Sequence, residues 1–169
     1  MKALFAGLGA LVLTAGSLGT LATPAAAAGP VYRQAIANDM RNCAPGAGPA
    51  VRVTVRGIKS STGKIRLQSY RATSEDWLAK GKWLNRIEVP ARQGSMTFCM
   101  PVPGPGAYAI AARHDANNNN DTDITKDGGA MSNNPSINIF NLGRPGIDKT
   151  RFQVGNGVER MSITMLYFG

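Results

Sequence analysis

Oxygen-bearing side chains occupy every second position along one short stretch: Asp115, Asn117, Asn119, Asp121 and Asp123. Groups of this type at this spacing suit a hard cation. Calcium takes six to eight oxygens at about 2.3–2.6 Å, and a tight loop can aim alternate side chains at one centre. Numbered as such a loop, the five residues stand at positions one, three, five, seven and nine. Asn120 then fills position six, where a sharp turn favours Gly, and Asn is the next residue most tolerant of a left-handed backbone. Position twelve, normally a bidentate Glu, is Lys126, with Asp127 one residue on as a partial replacement. One reading is therefore a weak Ca2+ site, of the kind that extracellular modules fill at about 10⁻⁴–10⁻³ M. The other needs no ion, because Asn and Asp form Asx-turns and cap one another in hydrated loops.

His114, next to this stretch, is the only histidine. The common zinc sites need more nitrogen or sulfur ligands, so His114 is read as an anchor that holds the loop by hydrogen bonds. Ser132 and Asn133 are read as anchors with it. A Ser132–His114–Asp115 triad would make the chain a hydrolase, but Ser132 has no nucleophile-elbow context. The expectation is a protein that is not an enzyme, without catalytic residues, and with Ca2+ as its one candidate cofactor.

The elements that position these residues follow from a period of two. Val51, Val53 and Val55 alternate with Arg52, Thr54 and Arg56, and 64–70 repeats the pattern after the turn Ser60-Ser61-Thr62-Gly63. The two runs are expected to form a β-hairpin with one face in the core. Further strands are expected at about 85–89, 95–100, 106–114 and 159–167, with a short one at Phe152 and Val154. Met161, Ile163, Met165 and Tyr167 share one face of the last long strand, and Gly155-Asn156-Gly157 before it is a hairpin-turn signal. Thr73 or Ser74 is placed to cap a single helical turn. A short helix around 33–41 is expected from Tyr32, Ile36 and Met40. Short alternating strands between turn signals predict an all-β fold, an antiparallel β-sandwich with one long Asn/Asp-rich loop.

The ends and the cysteines set the compartment. Lys2, an apolar run to about Leu21 and Ala26-Ala27-Ala28 read as a signal peptide over 1–28, cut before Gly29. An arm, 29–49, and a β-sandwich domain, 50–169, follow. No other long apolar run suggests an integral membrane protein, and the expected location is periplasmic or extracellular. Cys43 and Cys99 in an oxidising compartment read as one disulfide. Between Val51 and Arg92 ten basic residues face three acids. An excess of this kind attracts anionic partners. In an exported protein these are envelope polymers or carbohydrate, with Trp77 and Trp83 as stacking candidates, and not nucleic acid. Asn138, Phe140, Asn141 and Arg144 are further groove candidates.

From Pro105 to Asn119 the chain resembles a bacterial exported family, domain of unknown function 2141. A Gly-x-Tyr-Ala strand, here Gly106 to Ala109, runs into His-Asp-x-Asn-x-Asn, here His114 to Asn119. A Ser-Asn-Asn element follows, here Ser132-Asn133-Asn134. The resemblance covers roughly Val51 to Tyr167 and implies an exported sandwich similar to transthyretin-like and immunoglobulin-like modules, with no established activity. Two departures stand out. The family commonly has glycines where this chain has Asn118 and Asn120, and a Gly-x-Pro-x-Glu stretch is replaced by the shorter Ile124 to Gly128.

Overall fold

Val51, Val53 and Val55 are wholly buried, while the residues between them face outward. That alternation makes one strand a wall of the core, and the same logic builds the rest of the domain. In the computed structural model, which describes residues 29–136 and 143–168, two sheets pack face to face. The expected signal segment 1–28 and the candidates Asn138, Phe140 and Asn141 lie outside the described residues.

The strands are β1 (Gln34–Ala35), β2 (Ala50–Ile58), β3 (Lys64–Arg71), β4 (Asn85–Pro90) and β5 (Gly94–Pro101). They continue with β6 (Gly106–Asp115), β7 (Gly128–Met131), β8 (Phe152–Val154), β9 (Val158–Thr164) and β10 (Leu166–Tyr167). Among the described residues, the larger sheet runs β1-β4-β3-β6-β7-β10, with β8 also on β6, and the smaller runs β5-β2-β9. Between them lie Val53, Phe98, Met100 and Ile163 from the smaller sheet and Ile65, Leu67, Ile87 and Ile110 from the larger. A short helix, α1 (Ile147–Thr150), precedes β8.

Three local expectations are corrected. β2 and β3 are not a hairpin: β2 pairs with β5 and β9, β3 with β4 and β6. The turn after β2 carries the chain from one sheet to the other, and a register break between Arg56 and Ile58 starts that departure. Gly155-Asn156-Gly157 likewise joins β8 in one sheet to β9 in the other. Turn chemistry reports a reversal of direction, not whether the two strands stay in one sheet. The β2–β9 pairing is also parallel, within an otherwise largely antiparallel sandwich. Finally, the arm is not helical over 33–41. Gln34 and Ala35 add β1 to β4, and a 3₁₀ turn, Met40–Cys43, follows with Asp39 as its cap. The capped turn at Thr73 is present: its hydroxyl accepts from the Asp76 amide and its carbonyl from the Trp77 amide.

Cys43 and Cys99 are joined, with their Cα atoms 5.8 Å apart, so the arm is fixed to β5. This is compatible with an exported protein. Tyr32 adds a second tie by donating to Asp76, a buried carboxylate that also pairs with Arg71. Among the described residues, no helix is long and apolar enough to cross a membrane.

Candidate functional site

The Asp/Asn loop leaves the end of β6 and returns at β7. Asp115 closes its first turn. Its two carboxylate oxygens accept from the amides of Asn119 and Asn120, at 3.1 and 3.0 Å. Asp127 closes the second, accepting from Ala116 and Asp123 at 3.2 and 3.1 Å. Between these clamps the period-two pattern becomes a run of Asx-turns. Asn117 Oδ1 accepts from the Asn119 amide, Asn119 Oδ1 from Asp121, and Asp123 Oδ1 from Thr125, each two residues on. An oxygen at every second residue is what such a run requires, because each side chain reaches the amide at i+2.

Asn118 and Asn120 both have positive φ, at 57° and 69°. A left-handed backbone selects Gly or Asn, so both asparagines suit the turn.

Two cations brace the loop from the outer sheet face. Arg113 donates from its terminal nitrogens to Thr122 Oγ1 and to the Asn120 carbonyl, both at 2.9 Å. Lys64 bonds Asn120 Oδ1. Both approach the wholly buried Asp115 carboxylate, at 3.5 Å from Arg113 and 3.9 Å from Lys64. Burial, and next the neighbouring Arg66, push the Arg113 guanidinium below its usual range. The Thr125 hydroxyl, as the leading cause, holds the Asp123 carboxyl below its usual value.

The five candidate ligands are thus placed differently from one another. Asp115 is buried, Asp123 half-buried, and Asn117, Asn119 and Asp121 exposed. Among the described residues, no three His, Cys, Asp or Glu side chains are grouped so as to hold a metal ion.

His114 is wholly buried. Nε2 lies 2.8 Å from the Thr62 carbonyl and Nδ1 2.7 Å from the Tyr167 hydroxyl. A carbonyl only accepts, so Nε2 donates to Thr62, while Nδ1 and the Tyr167 hydroxyl share the second bond. The Tyr167 oxygen in turn accepts from the Lys59 amide at 3.0 Å, and burial pushes its phenol up. Two glycines make room. A Cβ on Gly63 would stand 1.9 Å from the Asp115 carbonyl oxygen, and one on Gly128 2.5 Å from the Tyr167 ring.

Ser132 anchors a different point. Its Oγ accepts from the Ile110 amide at 3.0 Å and donates to the Thr150 carbonyl at 2.6 Å. Asn133 donates to the Arg151 carbonyl at 2.8 Å, fastening the segment after α1. Asn134 bonds the Ser162 carbonyl at 2.9 Å and the Thr164 amide at 2.7 Å on the outer edge of β9. Ser132, His114 and Asp115 therefore each bond to separate partners. Arg113, Lys64 and Tyr167 were not singled out from sequence. For Tyr167 the signal was present, since it keeps phase with Met161, Ile163 and Met165.

The basic residues do not share one face. Arg52 and Arg56 of β2 lie beside Arg160 and Thr164 of β9, respectively, on the smaller sheet, while Lys64, Arg66, Arg86 and Arg113 lie on the larger. Trp83 is buried with the Arg86 guanidinium 4.1 Å over its ring, and Trp77 is half-buried against Tyr70 and donates to the Pro145 carbonyl. Both rings are thus engaged within the fold.

A family model described as "Uncharacterized protein conserved in bacteria (DUF2141)" matches residues 53–162. No curated protein and no solved structure matches the chain. The match runs from the middle of β2 to β9 and takes in the clamped loop, its histidine anchor and the Ser-Asn-Asn clip; the chain belongs to this uncharacterised bacterial family.

Proposed function

We propose that the protein is an exported, non-enzymatic β-sandwich module that acts by binding. The observation that carries this reading is the commitment of its reactive groups. Both nitrogens of the only histidine are bonded inside the fold, the Ser132 hydroxyl holds two backbone segments together, and both Asp115 oxygens accept loop amides. A general base must reach a substrate proton, and His114 has neither exposure nor an unbonded nitrogen for that. The test is turnover of chromogenic esters, phosphoesters and glycosides by the purified protein and by His114→Gln. No turnover is expected from either. Turnover by the parent that disappears in a folded variant overturns the reading. Export is tested by fractionating cells and sequencing the N-terminus, with Gly29 expected as the first residue.

A second reading gives the loop a weak Ca2+ site. It is favoured by Asp115 Oδ1, Asn117 Oδ1 and Asn119 Oδ1, which each accept one amide, because a carboxylate or amide oxygen keeps a further lone pair. Asp115, Asn117, Asn119, Asp121 and Asp123 would supply the ligands. A thermal melt in millimolar calcium is expected to rise and to fall back with chelator. An unchanged melting temperature removes the ion.

A further inference from the structure

The outer face of the larger sheet is sunk at its centre. Ala111 on β6 and Gly129 on β7 stand where neighbouring outward positions carry long side chains, and a groove of about 690 Å³ opens above them. That size falls in the range of about 300–1,000 Å³ typical of small-molecule sites. Its walls are apolar: Leu78, Met131, Ile124 and Phe168. Among the described residues, the exposed large hydrophobics are Val31, Ile124, Leu166 and Phe168. Two of these line the groove. Leu166 pairs with the floor residue Gly129 across the β7–β10 ladder, so it stands on the same face. Exposed apolar side chains are thus gathered at one opening, which is how binding surfaces differ from scattered surface residues.

The groove is also cationic. Arg66 and Arg113 lie directly opposite each other on β3 and β6, and Arg144 lines the far wall, donating to the Leu78 carbonyl. Like charges directly opposite across a ladder are unfavourable. Glu88 pairs with Arg66 on the other side and Asp115 stands 3.5 Å from a terminal nitrogen of Arg113, but the one acid of the lining, Asp127, has both oxygens engaged with loop amides. Arg113 Nε is the one buried side-chain nitrogen or oxygen among the described residues with no hydrogen-bond partner. Such a group is costly in a resting fold.

We propose that this groove binds an amphipathic carboxylate, its head paired with the Arg66 and Arg113 guanidiniums and its aliphatic body laid against Leu78, Met131, Ile124 and Phe168. A guanidinium pair matches a carboxylate in charge and in planar geometry. The apolar walls match a hydrocarbon chain and would explain why Ile124, Leu166 and Phe168 are left uncovered. The proposal rests on the reading of the protein as a binding module and adds the class of ligand.

The experiment is calorimetric titration of the purified protein with decanoate. Decanol supplies the same body without charge, and acetate the charge without the body. Two variants accompany the parent. Gly129→Val fills the floor, and no atom lies within 4 Å of the Cβ it would add. Arg113→Met removes one head contact. Saturable binding of decanoate is expected, with decanol and acetate each weaker by at least about tenfold, and a similar loss in both variants. Three results overturn the proposal: no saturable decanoate binding, equal binding of decanol, or undiminished binding by folded Gly129→Val. None of them bears on turnover, so a failure here stays separate from a failure of the non-enzymatic reading.

Discussion

At His114 the two ring nitrogens are bonded in opposite directions, one to the turn that leaves β2 and the other to a tyrosine near the C-terminus. A single buried ring therefore joins segments 52 and 53 residues away. His114→Phe keeps an aromatic ring and removes both bonds, leaving the Thr62 carbonyl without this partner. We expect a loss of about 2–3 kcal/mol in urea unfolding, and about 1 kcal/mol for Tyr167→Phe, which spares the Thr62 bond. Tyr70 gives a prediction in pH. Burial pushes its phenol up to about 12 from the ordinary 10. The folded state thus holds a proton that the unfolded state releases. The sign follows: stability is unaffected below pH 10 and falls as pH rises from 10 to about 12. Tyr70→Phe is expected to flatten that fall in alkaline denaturation curves.

Strand edges carry the next lesson. In the smaller sheet both outer strands are clipped by an asparagine. Asn38 bonds the Thr97 carbonyl and Cys99 amide of β5, as Asn134 bonds the Ser162 carbonyl and Thr164 amide of β9. Each amide occupies the groups that another strand would use, which blunts an edge that otherwise invites pairing between molecules. Asn38→Ala and Asn134→Ala together are expected to raise self-association in light scattering, while circular dichroism stays close to the parent. The strands of this sheet were legible in the sequence because buried and exposed residues alternate along β2, and Met161 and Ile163 mark the inner face of β9. Partner choice was not. Whether 60–63 and 155–157 close hairpins or cross between sheets depends on contacts distant in sequence. β7 was missed because Gly128-Gly129-Ala130 carries no β-branched or aromatic residue. Its glycines are there for the Tyr167 ring and the groove floor. The loop was half-legible: the alternating oxygens were plain, but an Asx-turn run and a cation loop share that spacing. The pairing of Asp115 and Asp127 with four amides is fixed only by the folded backbone.

Across the whole molecule the arm, the disulfide and the charge act together. Cys43 and Cys99 are 56 residues apart, and cross-linking a loop of that length stabilises by about 4 kcal/mol in the chain-entropy model. Reduction under mild denaturant is expected to lower the unfolding midpoint accordingly and to release the arm, read as faster proteolysis before Ala50. The sequence carries a formal net charge of +9, and the positive groups lie on both outer faces. Retention on an immobilised acidic polysaccharide is therefore expected at low salt and lost at moderate salt, because the opposed faces supply long-range attraction and no single footprint. The parallel partnership of β2 and β9 has a temporal consequence. The first long strand has one neighbour, β5, early in the chain, but its other flank waits for a segment ending at Thr164. A polypeptide emerging N-terminus first would hold Val51, Val53 and Val55 beside an open slot until β9 appears. Deletion from Val158 onward should therefore abolish cooperative folding, although every residue of the clamped loop would still be present.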